Sequence, residues 1–212
     1  MSKKLIVITK NIDTEIYKNQ YVRFDVKGDT VIYTAIDIDG NIMEDTEYTV
    51  NPAGILIHTA VHGAREDVQC ITHTHTDAGM AVACSTEGLR TDNFYSALLQ
   101  NRVAYHDFEG LTVLDDEKPR LIANIGNKNL LILRNHGLLT CGRSIPEAFY
   151  NMWALQRSCE VQVACDATGK NIIPVSDEIL AKAEQLMTIQ SAGTPAGQLE
   201  FSALVRLIDK ID

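Results

Sequence analysis

One domain of mixed strands and helices, covering residues 1–212, is the architecture this sequence predicts, and three observations carry it. β-branched or alternating apolar runs, the period-two signature of strands, fill the opening third and recur around residues 70–76 and 129–141. Capped stretches with helical spacing separate and follow them. A chain of 212 residues can bury a full core, and no internal repeat, low-complexity tract or linker-like composition divides it.

In chain order, residues 5–9 (Leu-Ile-Val-Ile-Thr) and 20–26 (Gln-Tyr-Val-Arg-Phe-Asp-Val) read as strands. Lys27-Gly28-Asp29 turns the chain into residues 30–39, where Val31, Tyr33, Ala35 and Asp37 alternate with Ile32, Thr34, Ile36 and Ile38; Asp39-Gly40-Asn41 is the next turn. Asn51-Pro52-Ala53-Gly54 punctuates, and residues 55–65 have helical spacing, with Ile55, Ile57, His58, Val61 and His62 near one stripe. After a strand at 70–76, residues 77–85 make a short helix that Thr76 or Asp77 is placed to cap. A helix over 92–100, short strands at 103–106 and 111–114, and a helix over 117–124 follow. Residues 129–134 form the apolar run of a buried strand, broken by Asn135-His136-Gly137 and resumed by Leu138-Leu139-Thr140-Cys141. Ser144, with Glu147 three residues on, reads as the N-cap of a long helix to about Ala167, and two further helices cover 176–190 and 198–210.

Side chains two apart on a strand share a face, so His73 and His75 in the run Cys70-Ile71-Thr72-His73-Thr74-His75-Thr76 project their imidazoles the same way. They form two teeth of a metal clamp, but the same pattern suits a solvated strand face, so a third ligand from elsewhere is required. His136 is the candidate. It interrupts a buried strand at a polar-small turn, where packing gives no reason for an imidazole. Three neutral imidazoles with an open position are a usual ligand set for catalytic zinc.

Composition removes other functions. The formal net charge of -9, from 19 basic and 28 acidic side chains with no basic cluster beyond Lys3-Lys4, argues against a nucleic-acid partner. No apolar run is long enough to cross a bilayer and the amino terminus lacks a signal-peptide core, so the cytoplasm is the expected location, with no membrane partner. Five scattered cysteines, Cys70, Cys84, Cys141, Cys159 and Cys165, lie in apolar stretches and read as reduced core residues, not as a disulfide framework.

Three segments carry a family resemblance. They are Arg65-Glu-Asp-Val-Gln-Cys-Ile-Thr-His-Thr-His-Thr76, Val103-Ala-Tyr-His-Asp-Phe-Glu-Gly110, and Leu131-Ile-Leu-Arg-Asn-His-Gly-Leu-Leu-Thr-Cys-Gly-Arg-Ser-Ile-Pro-Glu-Ala-Phe-Tyr150 with Cys159-Glu160-Val161-Gln162. From about Ile36 to Ala167 they resemble, in consistent order, the class II aldolase and adducin N-terminal domain family, which also holds L-fuculose-phosphate aldolase; Asn51-Pro52-Ala53-Gly54-Ile55 looks like its adducin-like branch. The resemblance implies a three-layer α/β/α sandwich with a mixed, mainly antiparallel central sheet. It also implies a homotetramer with active sites between subunits, and a divalent metal, usually zinc, on the histidines that match His73, His75 and His136. Two departures stand out. Where sugar-phosphate aldolases of the family place an acid/base glutamate just before the helix matching residues 55–65, this chain has Gly54, which cannot transfer a proton. Their Gly/Ser/Thr-rich phosphate loops and leading helices have no counterpart among residues 1–35, which argues against a phosphorylated substrate.

Two functions follow. The first is a metal-dependent aldolase-type lyase, cleaving or forming a carbon–carbon bond of a small hydroxy-carbonyl substrate through a metal-stabilised enolate; the same chemistry would serve a decarboxylation. With the glutamate gone, His58, Tyr105 and His106 are the candidates for taking the hydroxyl proton. Beside each stands a plainer role. His58 and His62, four apart on one helix face, suit packed structural histidines, His62 the more so; Tyr105 suits a core phenol; and a hydrogen-bonded turn position explains His106 as well as a fourth ligand does. Asp77 suits either a helix cap or a carboxylate orienting a ligand histidine, Glu160 beside Arg157 suits an ion pair, and Phe149 and Trp153 suit core or subunit contacts. The second function is a non-catalytic adducin-like oligomerisation or binding module, which Gly54 favours.

Overall fold

The computed structural model describes residues 6–10, 21–27, 30–37, 39, 41–43, 52–111, 115–190 and 196–208. Its strands are β1 (Ile6–Lys10), β2 (Tyr21–Lys27), β3 (Thr30–Ile36), β4 (Cys70–Thr74), β5 (Val103–His106), β6 (Leu130–Leu133) and β7 (Gly137–Gly142). Among the described residues they form one seven-stranded sheet in the order β3-β2-β1-β4-β7-β6-β5. Neighbours are antiparallel throughout except β5 with β6, so the sheet is mixed and mainly antiparallel. The helices are α1 (Pro52–Ala64), α2 (Asp77–Cys84), α3 (Phe94–Ala97), α4 (Lys118–Ile125), α5 (Ile145–Ala167), α6 (Asp177–Gln190) and α7 (Gln198–Ile208).

The register shows why the chain needs helices on both sides of the sheet. Directly opposed residues share a face, so Ile71, Cys141, Leu139, Leu131, Leu133 and Ala104 point one way and pack with Ile57, Ala60 and Val61 of α1 and Leu121 and Ile125 of α4. Leu138, Ile132 and Leu130 point the other way, against Val82 and Ala83 of α2 and Met152, Leu155 and Cys159 of α5. The result is a three-layer α/β/α sandwich. All four residues of β6 are buried, which is why its sequence is a continuous apolar run with no alternation. Each such leucine contributes roughly 1.5–3 kcal/mol through burial, so a polar residue on this strand would remove a large part of a domain's stability.

Local chemistry fixes the ends of the elements. Thr76 caps α2 by accepting from the Gly79 N–H at 3.2 Å, which leaves Asp77 as an exposed residue of the first turn. Ser144 caps α5 by accepting from the Glu147 N–H, and the Glu147 carboxylate reaches back to the Arg143 N–H at 2.8 Å, one residue earlier than in the usual capping box.

Several boundaries differ from the sequence reading. α1 begins at Pro52, a residue whose missing N–H suits a first turn, so Gly54 lies inside the helix and not just before it. α3 spans only Phe94–Ala97, because Asn93 and Ser96 close a reciprocal cap and the chain then turns through Asn101, whose φ is +60°. The strand expected at 111–114 falls on residues of which only exposed Leu111, in a bend, is described. Gly28-Asp29 likewise lies outside the described residues. All five cysteines are free, but only Cys70, Cys141 and Cys159 are core; Cys165 is half-buried and Cys84 is exposed at the end of α2, on the face turned from the sheet. Burial pushes the three core thiols up to about 12, which makes them inert packing groups. No helix among the described residues is long and apolar enough to cross a membrane.

Candidate metal centre

β4 runs between β1 and β7, with His73 one residue from its end and His75 one residue beyond it. His136 sits in the turn from β6 to β7, the strand beside β4, so the topology brings a distant part of the sequence to the end of the histidine strand. The turn is pinned. The His136 N–H donates to the Leu133 carbonyl at 3.1 Å, Asn135 takes a φ of +55° that asparagine tolerates, and its N–H donates to the Ala83 carbonyl at 3.1 Å. Arg134 donates from its backbone to His106 O at 2.8 Å and from Nη1 to Ser85 O at 2.6 Å.

Three imidazoles converge here. Ring centroids are 4.6 Å apart for His73 and His75, 4.9 Å for His73 and His136, and 4.7 Å for His75 and His136. One nitrogen from each ring lies within 4.8 Å of the others, so small side-chain shifts bring them to the ~3.3 Å spacing that tetrahedral zinc–imidazole bonds of ~2.05 Å require. The tautomer of His73 follows from its partner: the Leu138 carbonyl, 2.8 Å from Nδ1, can only accept, so Nδ1 carries the hydrogen and the bare Nε2 points into the cluster, 2.7 Å from Nε2 of His75. That is the arrangement a metal ligand needs.

Electrostatics agree with the geometry. Burial, with His136 and His75 close by, lowers the His73 imidazole to about 3; burial, with His75, lowers His136 to about 4; and burial alone lowers His75. Three neutral imidazoles are therefore gathered at one point at neutral pH, and this donor set fits a borderline divalent ion such as zinc, manganese, iron or cobalt without choosing among them.

Gly137 is the residue the sequence reading passed over. A Cβ there would lie 2.4 Å from the Thr74 carbonyl oxygen and 3.0 Å from the His75 ring, so only glycine lets the His136 turn close against β4. A glycine after a histidine in a turn was the available signal. The Leu138 carbonyl that orients His73 had none.

The remaining candidates separate. Tyr105 is in register with Ile132, which pairs with Leu138, so its ring lies on the α2/α5 face, opposite to that of His73. Its hydroxyl accepts from the Leu89 N–H at 3.0 Å and Arg134 covers its ring at 4.4 Å, contacts that suit the core-phenol role. His106 shares the His73 face but is buried with both nitrogens engaged: Nε2 to Glu117 Oε1 at 3.1 Å, and Nδ1 accepting from Asn124 Nδ2 at 3.3 Å. Both nitrogens have partners, as the hydrogen-bonded reading of this position expects. His62 donates from Nδ1 to the Val68 carbonyl at 3.2 Å. His58 is buried 6.2 Å from it in α1, the layer covering the sheet face that bears His73. Glu160 pairs with Arg157, and Phe149 packs against Phe201.

An α/β/α sandwich carrying three converged imidazoles at one end of its sheet defines a domain with a candidate three-histidine metal site. The chain belongs to the class II aldolase and adducin N-terminal domain family, whose description matches residues 28–163. A Pseudomonas aeruginosa protein, provisionally named an aldolase class 2 protein, is 44% identical over 177 residues, which are 82% of this chain and 68% of that one. Rat alpha-adducin is 38% identical over 193 residues, covering 83% of this chain but 26% of adducin. Among solved structures, an aldolase II superfamily protein from Pseudomonas syringae superposes with a TM-score of 0.84 at 32% identity, over 99% of this chain and 84% of that one. L-fuculose 1-phosphate aldolase from Glaciozyma antarctica PI12 superposes with a TM-score of 0.70 at 25% identity, over 85% and 71%.

Proposed function

We propose that this chain is a metal-dependent lyase of the aldolase type, acting in the cytoplasm as a homotetramer of single-domain subunits on a small hydroxy-carbonyl compound. His73, His75 and His136 are the ligands and zinc is the ion. One observation carries the reading: His73, whose Nδ1–H donates to Leu138 O at 2.8 Å, turns its bare Nε2 toward two further imidazoles whose protonation burial suppresses. A divalent ion bound there supplies positive charge that offsets the anion developing as the carbon–carbon bond breaks. The protein's own part is to hold the donors neutral and aligned and to move one proton. His58, Tyr105 and His106 are the candidate acceptors for that proton, and His58 lies buried in α1, the layer on the sheet face that bears His73.

Gly54 bears on the substrate. A Cβ added there meets nothing within 4 Å, so the packing does not demand glycine, and the space is open for a substrate group or for an introduced carboxylate. The Glaciozyma enzyme is named for a sugar phosphate. A second reading, an adducin-like binding module that keeps the fold without turnover, draws on Gly54 and on the 38% identity to alpha-adducin.

Metal analysis of protein purified without added metal, followed by release of pyruvate or aldehyde from a panel of hydroxy-keto acids, separates the two. The lyase reading expects bound metal and a turnover that His73→Ala abolishes and Gly54→Glu raises. Metal-free native protein, inactive across the panel in both forms, supports the binding module.

A further inference from the structure

The run Thr72-His73-Thr74-His75-Thr76 alternates two kinds of side chain, and its threonines are engaged as closely as its histidines. Thr72 and Thr74 lie on the sheet face opposite to His73, in register with Thr140 and Leu138, and meet α5 there. Thr140 Oγ1 donates to Ala148 O at 2.9 Å and accepts from Thr72 Oγ1 at 2.7 Å. Thr74 Oγ1 donates to Met152 Sδ at 3.4 Å, and Thr76 Oγ1 donates to Gln156 Oε1 at 2.5 Å while accepting from the Gly79 N–H. Gln156 Nε2 continues the chain to Glu160 Oε1 at 2.9 Å, and Arg157 holds the other oxygen of that carboxylate.

Ala148, Met152, Gln156 and Glu160 are four apart, so they form one ridge of α5. Four helical residues advance ~6.0 Å and two strand residues ~6.7 Å, so the two repeats nearly match and α5 meets each threonine in turn. Holding the threonines holds the histidines, because each is the chain neighbour of an imidazole on the other face. His75 depends on this most. The pairing of β4 with β7 ends at Thr74, and among the described residues only the His73 ring hydrogen-bonds that of His75. Thr74 and Thr76, on either side of it, are the residues that Met152 and Gln156 grip.

We propose that Gln156 is the positioning residue for the His75 imidazole, acting through Thr76, and that Glu160 sets which way round its amide sits. A carboxylate only accepts, so Glu160 takes the Nε2 end and leaves Oε1 to receive the Thr76 hydroxyl. With its hydrogen committed there, the hydroxyl turns a lone pair to the Gly79 N–H, so this one threonine ties the chain beside His75 to both α5 and α2. The inference deepens the proposed function and rests on its metal site, but not on its reaction or its substrate. Partners that orient a ligand directly are worth about 10–100-fold in metal affinity; Gln156 acts one residue along the chain, which places it at the lower end of that range.

Cobalt(II) binding to the full chain tests it, read by the visible absorption of the loaded protein and by competition with a chelator. Gln156→Met, close in shape but without the amide, is expected to weaken affinity about tenfold and to move the absorption toward that of His75→Ala. Gln156→Glu sets a second carboxylate against Glu160 and is expected to do the same. In Gln156→Glu/Glu160→Gln the carboxylate at 156 accepts both from Thr76 and from the amide at 160, and affinity is expected to return to within about threefold of wild type. If Gln156→Met does not fold by circular dichroism, the exchange pair carries the test. A wild type that takes no cobalt overturns the metal centre and this inference together. Wild-type binding that the Gln156 variants leave unchanged overturns this inference alone, and so does an exchange that fails to restore affinity, or a loss of affinity with the absorption unmoved.

Discussion

His73, His75 and His136 at one end of the sheet and His106 on β5 are four copies of one side chain in two environments. In the first, one nitrogen of His73 is committed to a backbone carbonyl and the other is left bare toward two neighbouring rings. In the second, both nitrogens are spent, on Glu117 and Asn124, inside the core. The difference teaches that a histidine is a ligand candidate when its lone pair is left over and aimed, and that burial or proximity to a sheet end does not decide it.

Removing an aimed lone pair is expected to have the largest effect. His136→Ala should weaken divalent-metal affinity by more than ~100-fold, beyond the cost of losing an orienting partner, as read by competition with a chromophoric chelator. Metal affinity within a few-fold of wild type would break the comparison. Next in size is Gly137→Ala, whose Cβ collides with the Thr74 carbonyl and His75; affinity should fall ~10-fold or more, and overpacking should cost about 1–3 kcal/mol in urea unfolding.

The imidazole cluster also carries a pH dependence. His73 and His136 titrate at about 3 and about 4 in the fold against 6.5 for a free imidazole, so between those values the unfolded chain binds protons that the folded chain refuses. The stability of the metal-free protein should be full above pH 6.5 and fall as pH drops toward 4, and His136→Gln should flatten that fall. A denaturation midpoint constant over this window would contradict the buried, neutral cluster.

Changes in the satisfied environment should leave the metal alone. Glu117→Gln is expected to cost about 1–3 kcal/mol of stability, the range for disturbing a buried hydrogen bond, at unchanged metal affinity. Tyr105→Phe, which removes only the acceptor for Leu89 N–H, should cost about 0.5–1.5 kcal/mol and likewise leave metal binding unchanged. A loss of metal in either variant would show that β5 belongs to the centre.

The same contrast marks what the sequence could reveal. Strand periodicity put His73 and His75 on one side, and an imidazole breaking an apolar strand flagged His136, because both signals are local. The layered sheet was legible for the same reason, with β6 and α5 close to their expected bounds. Tyr105 was not, since which of two alternating residues faces the histidines depends on the register of β5 through β6 and β7 to β4, a relation no local pattern carries. The partners of His106 stand 11 and 18 residues away, so no local pattern names them. Cys84 was placed in the core because a short helix of small residues gives too weak a stripe to say which side faces out.

The most direct test of the account is X-ray absorption at the edge of the bound metal, which counts imidazole ligands. The account predicts three in wild type, three in His106→Ala and two in His136→Ala. Fewer than three in the wild-type protein, or a ligand lost with His106 and kept without His136, would contradict it.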